Sequence, residues 1–159
     1  MNFDRRLIVR TSLAVSAILA LWFVWWAFGR SPEAQIRAAQ AALFTAVEDR
    51  DWDDVAGFLA ADYTDSYGHT RQSAIENGKK YLGFFYALSL KTDQTHVRAA
   101  RQQGVLQTMI RMEGNGAGHS LAVIGAVNQI NEPWTIHWTK AGLWPWTWQV
   151  TMIHNDQIR

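Results

Sequence analysis

Residues 11–29 carry no charged side chain and are dense in Leu, Ala, Val, Ile, Phe and Trp. No other feature constrains the chain so strongly. A helix over this run is roughly 28 Å long, about the hydrocarbon thickness of a bilayer. Trp22, Trp25 and Trp26 cluster at its C-terminal end, where amphipathic indoles favour the lipid–water boundary. Arg5, Arg6 and Arg10 precede the run, whereas Arg30 and Arg37 follow it more sparsely. That bias predicts residues 1–10 as a cytoplasmic tail and the rest of the chain across a bacterial inner membrane, in the periplasm. A cleaved signal peptide is the competing reading. Ala27-Phe28-Gly29 is a poor small-x-small cleavage site, the Trp25-Trp26 pair before it is bulky, and the run exceeds a usual signal core. A retained single-pass anchor over 11–29 is therefore expected. The run contains no His, Asp, Glu or Lys, the residue types that would build a proton path or ligate a pigment there.

Charge divides at the same boundary. Residues 1–30 hold a net of +3, and residues 31–159 a net of −2. The part after the anchor has no basic stripe, which argues against nucleic acid as a partner. There is no cysteine, so disulfides and thiolate chemistry are excluded.

Ser31, Pro32 and Glu33 form a helix start, with a capping hydroxyl, a proline at the first position and an acid in the first turn. Ile36, Ala39, Leu43, Phe44 and Val47 then recur at helical spacing through about Asp49. Asp51 is expected to cap a short second helix burying Trp52, Val55, Phe58 and Leu59. "DYTDSYG" alternates Tyr63, Asp65 and Tyr67 against Thr64 and Ser66, a short strand closed by Gly68. Thr70 caps a third helix with Ala74, Ile75, Tyr81, Leu82 and Phe85 toward the core. Beyond Tyr86 the period changes to two, and 88–100, 105–113, 119–130, 134–140 and 146–154 read as strands. Residues 112–118, 131–133 and 141–146 read as turns or hairpin loops. This order predicts an α+β domain, three helices on one face of a curved antiparallel sheet.

With "FLAADYTDSYGHTRQSAIENGKKYLGFF" at its centre, residues 31–156 resemble the nuclear-transport-factor-2-like (SnoaL-like) superfamily. The resemblance rests on Ala61-Asp62-Tyr63, Thr64-Asp65-Ser66, Gly68 and Ala74-Ile75, and on "WTIHWTKAGLWPWTWQV" as the last two strands. It implies a cone-shaped fold whose enzymes work between the helices and the sheet. The superfamily also contains transport factors and plain assembly domains, so the fold alone does not choose a function.

In ketosteroid-isomerase-like members, the resemblance implies a carboxylate base on the short strand, near Asp65, with Tyr63 and Tyr67 beside it in a pocket. An enolate also needs stabilising donors. The family's first-helix tyrosine falls here at Leu43 or Phe44, and no acid lies between Glu113 and Glu132 to serve from a late strand. His69 is the companion of Asp65 in sequence for acid/base work. Against these roles stand two structural readings: Asp65 as a strand-end carboxylate bonded to backbone amides, and His69 as a solvated turn residue. The histidines (69, 96, 119, 137 and 154) show no metal-ligand spacing. "GNGAG" at 114–118 joins two strands and opens no helix, so it is a turn and not a phosphate cradle.

The remaining unusual stretch holds Trp134, Trp138, Trp144, Trp146 and Trp148, too many large rings for one core layer. This hairpin is expected to offer a docking surface to other integral membrane subunits. The reading as a whole is a non-catalytic accessory or assembly subunit of a photosynthetic, respiratory or secretion complex, without a cofactor or metal. Its alternative is a tethered isomerase or hydrolase, or a carrier of a small apolar ligand, using Asp65 and His69 in the cone.

Overall fold

The computed structural model describes residues 15–19, 22 and 29–158. The chain divides into two units, Met1–Ser31 and Pro32–Arg159. In the first, residues 15–19 and Trp22 are helical and exposed. The expected span over 11–29 otherwise lies outside the described residues, apart from Gly29, as do Trp25, Trp26 and the tail 1–10. Among the described residues no helix is long and apolar enough to cross a membrane.

The second unit runs α1 (Pro32–Asp49), α2 (Trp52–Phe58), β1 (Leu59–Asp65), α3 (Arg71–Leu82), β2 (Phe85–Ala99), β3 (Gln103–Gly116), α4 (Ser120–Asn128), β4 (Trp134–Lys140) and β5 (Trp148–His154). Local chemistry sets the starts of the first three helices. α1 opens at Pro32, whose missing N–H would have no helical partner there. The Asp51 carboxylate accepts from Asp54 N at 3.1 Å to cap α2. Thr70 and Ser73 exchange side-chain and backbone bonds in a capping box at α3.

The sheet order is β1-β5-β4-β3-β2. Neighbours pair antiparallel except the edge pair, where β1 runs parallel to β5. The sheet is thus mixed and not wholly antiparallel as expected; strand periodicity shows which residues share a face but is silent on direction between distant strands. Register shifts in the β1/β5, β2/β3 and β4/β5 pairs are of the kind that bends a sheet.

Residues 119–130, expected as a strand, form α4 instead, giving four helices among the described residues of this unit. The run "SLAVIGAVN" is apolar without alternation, a pattern that periodicity cannot divide between strand and helix. Tertiary contacts decide: Val123, Ile124 and Val127 pack on Phe85, Leu88 and Met112. Asn128 then grips β3, its Oδ1 accepting from Met112 N at 2.8 Å and its Nδ2 donating to Met112 O at 2.9 Å.

The main core lies between α1, α2 and the concave face of the sheet, built on Ile36, Leu43, Leu106, Ile136, Trp138 and Trp148. Gly104 sits directly under Ile36, and a Cβ there would strike the Ile36 Cδ1 atom. One member of the helical face is discordant. Gln40 is 5% exposed, and neither amide atom has a hydrogen-bond partner among the described residues. A buried amide without partners is destabilising. Gln40→Met is therefore expected to raise the unfolding free energy by about 1 kcal/mol; a lower denaturation midpoint would show that the amide is satisfied.

Candidate functional site

The expected acid/base residues meet where β1 ends. Asp65 Oδ1 accepts from Tyr67 N at 2.9 Å and from His69 N at 2.8 Å, while Oδ2 lies 2.8 Å from His69 Nδ1. The backbone closes the same turn: Asp65 N donates to His69 O at 3.1 Å, and Gly68 N to Asp65 O at 3.3 Å. Gly68 has φ +86°, a conformation most side chains resist. The spacing from Asp65 to His69 thus follows from an aspartate folding the chain back over itself.

Alternation predicts Tyr67 on the strand face with Tyr63 and Asp65, but β1 ends at Asp65. Tyr67 lies in the turn instead, and its hydroxyl donates to Asn155 O at 3.3 Å and accepts from Asn155 N at 2.9 Å. Asn155 is 2% exposed and also donates through Nδ2 to Glu132 O at 2.8 Å. The turn is thereby fastened to the end of β5, a partnership that no local sequence signal announced. Burial, then the Asp65 charge, raises the Tyr63 pKa well above its ordinary value, so its hydroxyl stays neutral. Burial is also the main cause of the raised Tyr67 pKa.

The Asp65 side chain is 8% exposed and that of His69 is 39% exposed. Both Asp65 oxygens are engaged by groups of the turn itself. The donors an enolate would need do not face this carboxylate from the expected places. Leu43 is a core residue, and the stretch expected to carry a late-strand acid is α4. The strands that do form carry apolar residues, glycine or threonine at their buried positions on β3, β4 and β5.

Tyr63 fills the concave side with Trp138, Trp148 and Ile136. Open clefts lie elsewhere. One of about 500 Å³ runs between α2, β1 and α3, lined by Ala56, Ala61, Arg71, Ile75 and Glu76. Another of about 570 Å³ is lined by Asp62, Arg98, His137 and Thr151. Tyr63, Asp65 and Tyr67 line neither.

Among the described residues no three His, Cys, Asp or Glu side chains converge as metal ligands. His137 and His154 do stack, with ring centroids 5.9 Å apart. Burial, and secondarily the neighbouring imidazole, lowers the His137 pKa. The folded chain therefore binds fewer protons than the unfolded one just below the ordinary histidine pKa of about 6.5. This contribution to stability is present above that pH and is lost as pH falls toward the lower folded value. His137→Gln is expected to flatten the decline in melting temperature between neutral pH and pH 5; an unchanged slope would exonerate the pair.

The tryptophans divide into two groups. Trp138 and Trp148 are each 1% exposed, which removes them from the expected docking surface; two large rings were needed to fill the cone. Trp134 is half-buried. Trp144 and Trp146 are 50% and 58% exposed and stack on one another with centroids 5.2 Å apart.

Three solved structures are similar to this domain in fold. Bd1075 of Bdellovibrio bacteriovorus matches 76% of this chain with a TM-score of 0.59 at 13% identity, and the chain spans only 38% of that protein. An NTF2-like protein of Pseudomonas putida matches 77% of this chain and 84% of its own length, with a TM-score of 0.57 at 17% identity. The domain has the NTF2-like fold. A second NTF2-like protein, from Streptomyces avermitilis and provisionally named a dehydratase, matches 76% of this chain and 92% of its own, with a TM-score of 0.55 at 11% identity. Neither a protein-family model nor a curated protein matches the sequence.

Proposed function

We propose that this chain is a membrane-tethered accessory subunit. Residues 11–29 would hold an NTF2-like domain on the periplasmic side of an inner membrane, beside integral subunits that it helps to stabilise. The observation that carries the reading is the occupied concave side of the sheet. Trp138, Trp148, Leu106, Ile136 and Ile36, each 2% exposed or less, fill the region in which NTF2-like enzymes hold substrate. The engaged Asp65 carboxylate agrees with it. The uncharged run and the arginine bias around it support the tether. Extraction of the tagged full chain from its native membrane in mild detergent, followed by sedimentation, tests the proposal. The chain is expected to travel in a particle several-fold heavier than its own 18.1 kDa. Recovery as a monomer from the aqueous fraction would overturn it.

A second reading has one specific observation behind it. Asp65 and His69 pair at 2.8 Å while the imidazole keeps 39% of its surface in solvent, the arrangement of an oriented acid/base histidine. A tethered isomerase or dehydratase, or a carrier of a small apolar ligand, would use that pair. Ligand-induced stabilisation that disappears in both Asp65→Asn and His69→Gln would favour this reading over the first.

A further inference from the structure

The loop joining β4 to β5 carries an apolar tip in solvent. Leu143 is 89% exposed and Trp146 is 58% exposed, with the Trp144 ring stacked against Trp146 at an interplanar angle of 14°. The tip is not slack. Ala141 N donates to Thr147 O at 2.8 Å across the base of the loop, and Thr147 Oγ1 donates to Trp144 O at 2.8 Å across its top. A braced loop that keeps Leu and Trp outward incurs a hydration cost that a burying partner would relieve.

Position identifies that partner. Trp148, the first residue of β5, donates through Nε1 to Gln35 Oε1 at 3.0 Å. Gln35 lies in the first turn of α1, so the loop and the point where the chain enters the domain are at one end of that domain. Gly29, the last residue of the uncharged run, can lie no farther than about 11 Å from Pro32 along even a fully extended chain. Residues 141–147 contain no acid. Asp54, however, lines the cleft beneath Trp146, so the surface suits the boundary between headgroup and acyl chain and not anionic lipid in particular.

We propose that residues 141–147 form a second bilayer contact, with Leu143 and Trp146 seated in the interfacial layer of the membrane that residues 11–29 cross. It rests on the tethered reading above. The two contacts together would fix how the domain is tilted on the membrane, which a single tether cannot do.

The chain has no native cysteine, so single sites can be labelled in the full-length protein. Leu143→Cys, Trp146→Cys, Asp156→Cys and Val15→Cys, each carrying a small fluorophore, are reconstituted into phosphatidylcholine vesicles containing a nitroxide-bearing lipid. Asp156 is exposed and lies beyond the opposite end of β5. Labels at 15, 143 and 146 are expected to be quenched several-fold more strongly than the label at 156. Quenching at 15 with labels at 143 and 146 no stronger than at 156 would overturn the second contact and leave the tether standing, turning the loop toward a protein partner. No quenching at 15 would overturn the tether and this proposal with it.

Discussion

Trp148→Ala is expected to lower the unfolding free energy by about 3–5 kcal/mol, measured by chemical denaturation of the full chain in mild detergent. The indole is 1% exposed and lies in the main core beside Val150, Trp138 and Ile36. Its removal would leave a void that helices and strands on both sides cannot collapse to fill. The hydrogen bond from Nε1 to Gln35 Oε1 makes the site chemically specific as well. Trp148→Phe keeps most of the volume but takes away the indole donor to Gln35, which is itself 9% exposed. Trp138 offers the contrast. It is equally buried, but its Nε1 has no acceptor among the described residues. Trp138→Phe therefore removes an unsatisfied donor along with the ring area, and should cost about 1 kcal/mol less than Trp148→Phe. Equal losses for the two phenylalanine variants would mean that the Gln35 contact contributes nothing.

Asp65→Ala is expected to cost about 2 kcal/mol and to loosen the β1–α3 turn, raising amide exchange at Tyr67 and His69. Three acceptor contacts disappear together, two of them to backbone amides that the turn geometry aims inward. Asp65→Asn keeps an oxygen for those amides and should cost about half as much. His69→Gln should cost less than 1 kcal/mol, because that side chain is 39% exposed and a pair so placed contributes little. This ranking separates an organising carboxylate from one poised for chemistry. If alanine at 65 left stability and exchange unchanged, the turn would be held by other means and Asp65 would return as a candidate base.

Much of the architecture can be read from residue patterning. The capped starts at Asp51 and Thr70, the amphipathic face of α1 and the period-two runs that became β2, β3, β4 and β5 each announce themselves locally. What escaped depends on distant partners. α4 is an apolar run whose helical state is settled by Phe85, Leu88 and Met112 beneath it. The parallel pairing of β1 is settled by a strand at the far end of the chain.

The candidate site divides in the same manner. Asp65 and His69 stand close in sequence and meet in space, whereas Asn155, which anchors Tyr67, is far away along the chain. The five late tryptophans could not be sorted into core and surface from spacing alone. The register shift between His137 and Trp138 breaks the alternation on which such sorting depends.

The edge pairing also orders events during synthesis. Leu59 finds its sheet neighbour in Val150, so the first strand emerges from the ribosome long before the last one exists. Until residues 148–154 emerge, β1 lacks its sheet neighbour and the cone lacks Trp148, one of its largest occupants. Completion is therefore a late, non-local event of the slow kind. A ribosome stalled before residues 148–154 have emerged would hold a nascent domain with an unpaired edge and an unfilled interior, a species dependent on chaperones.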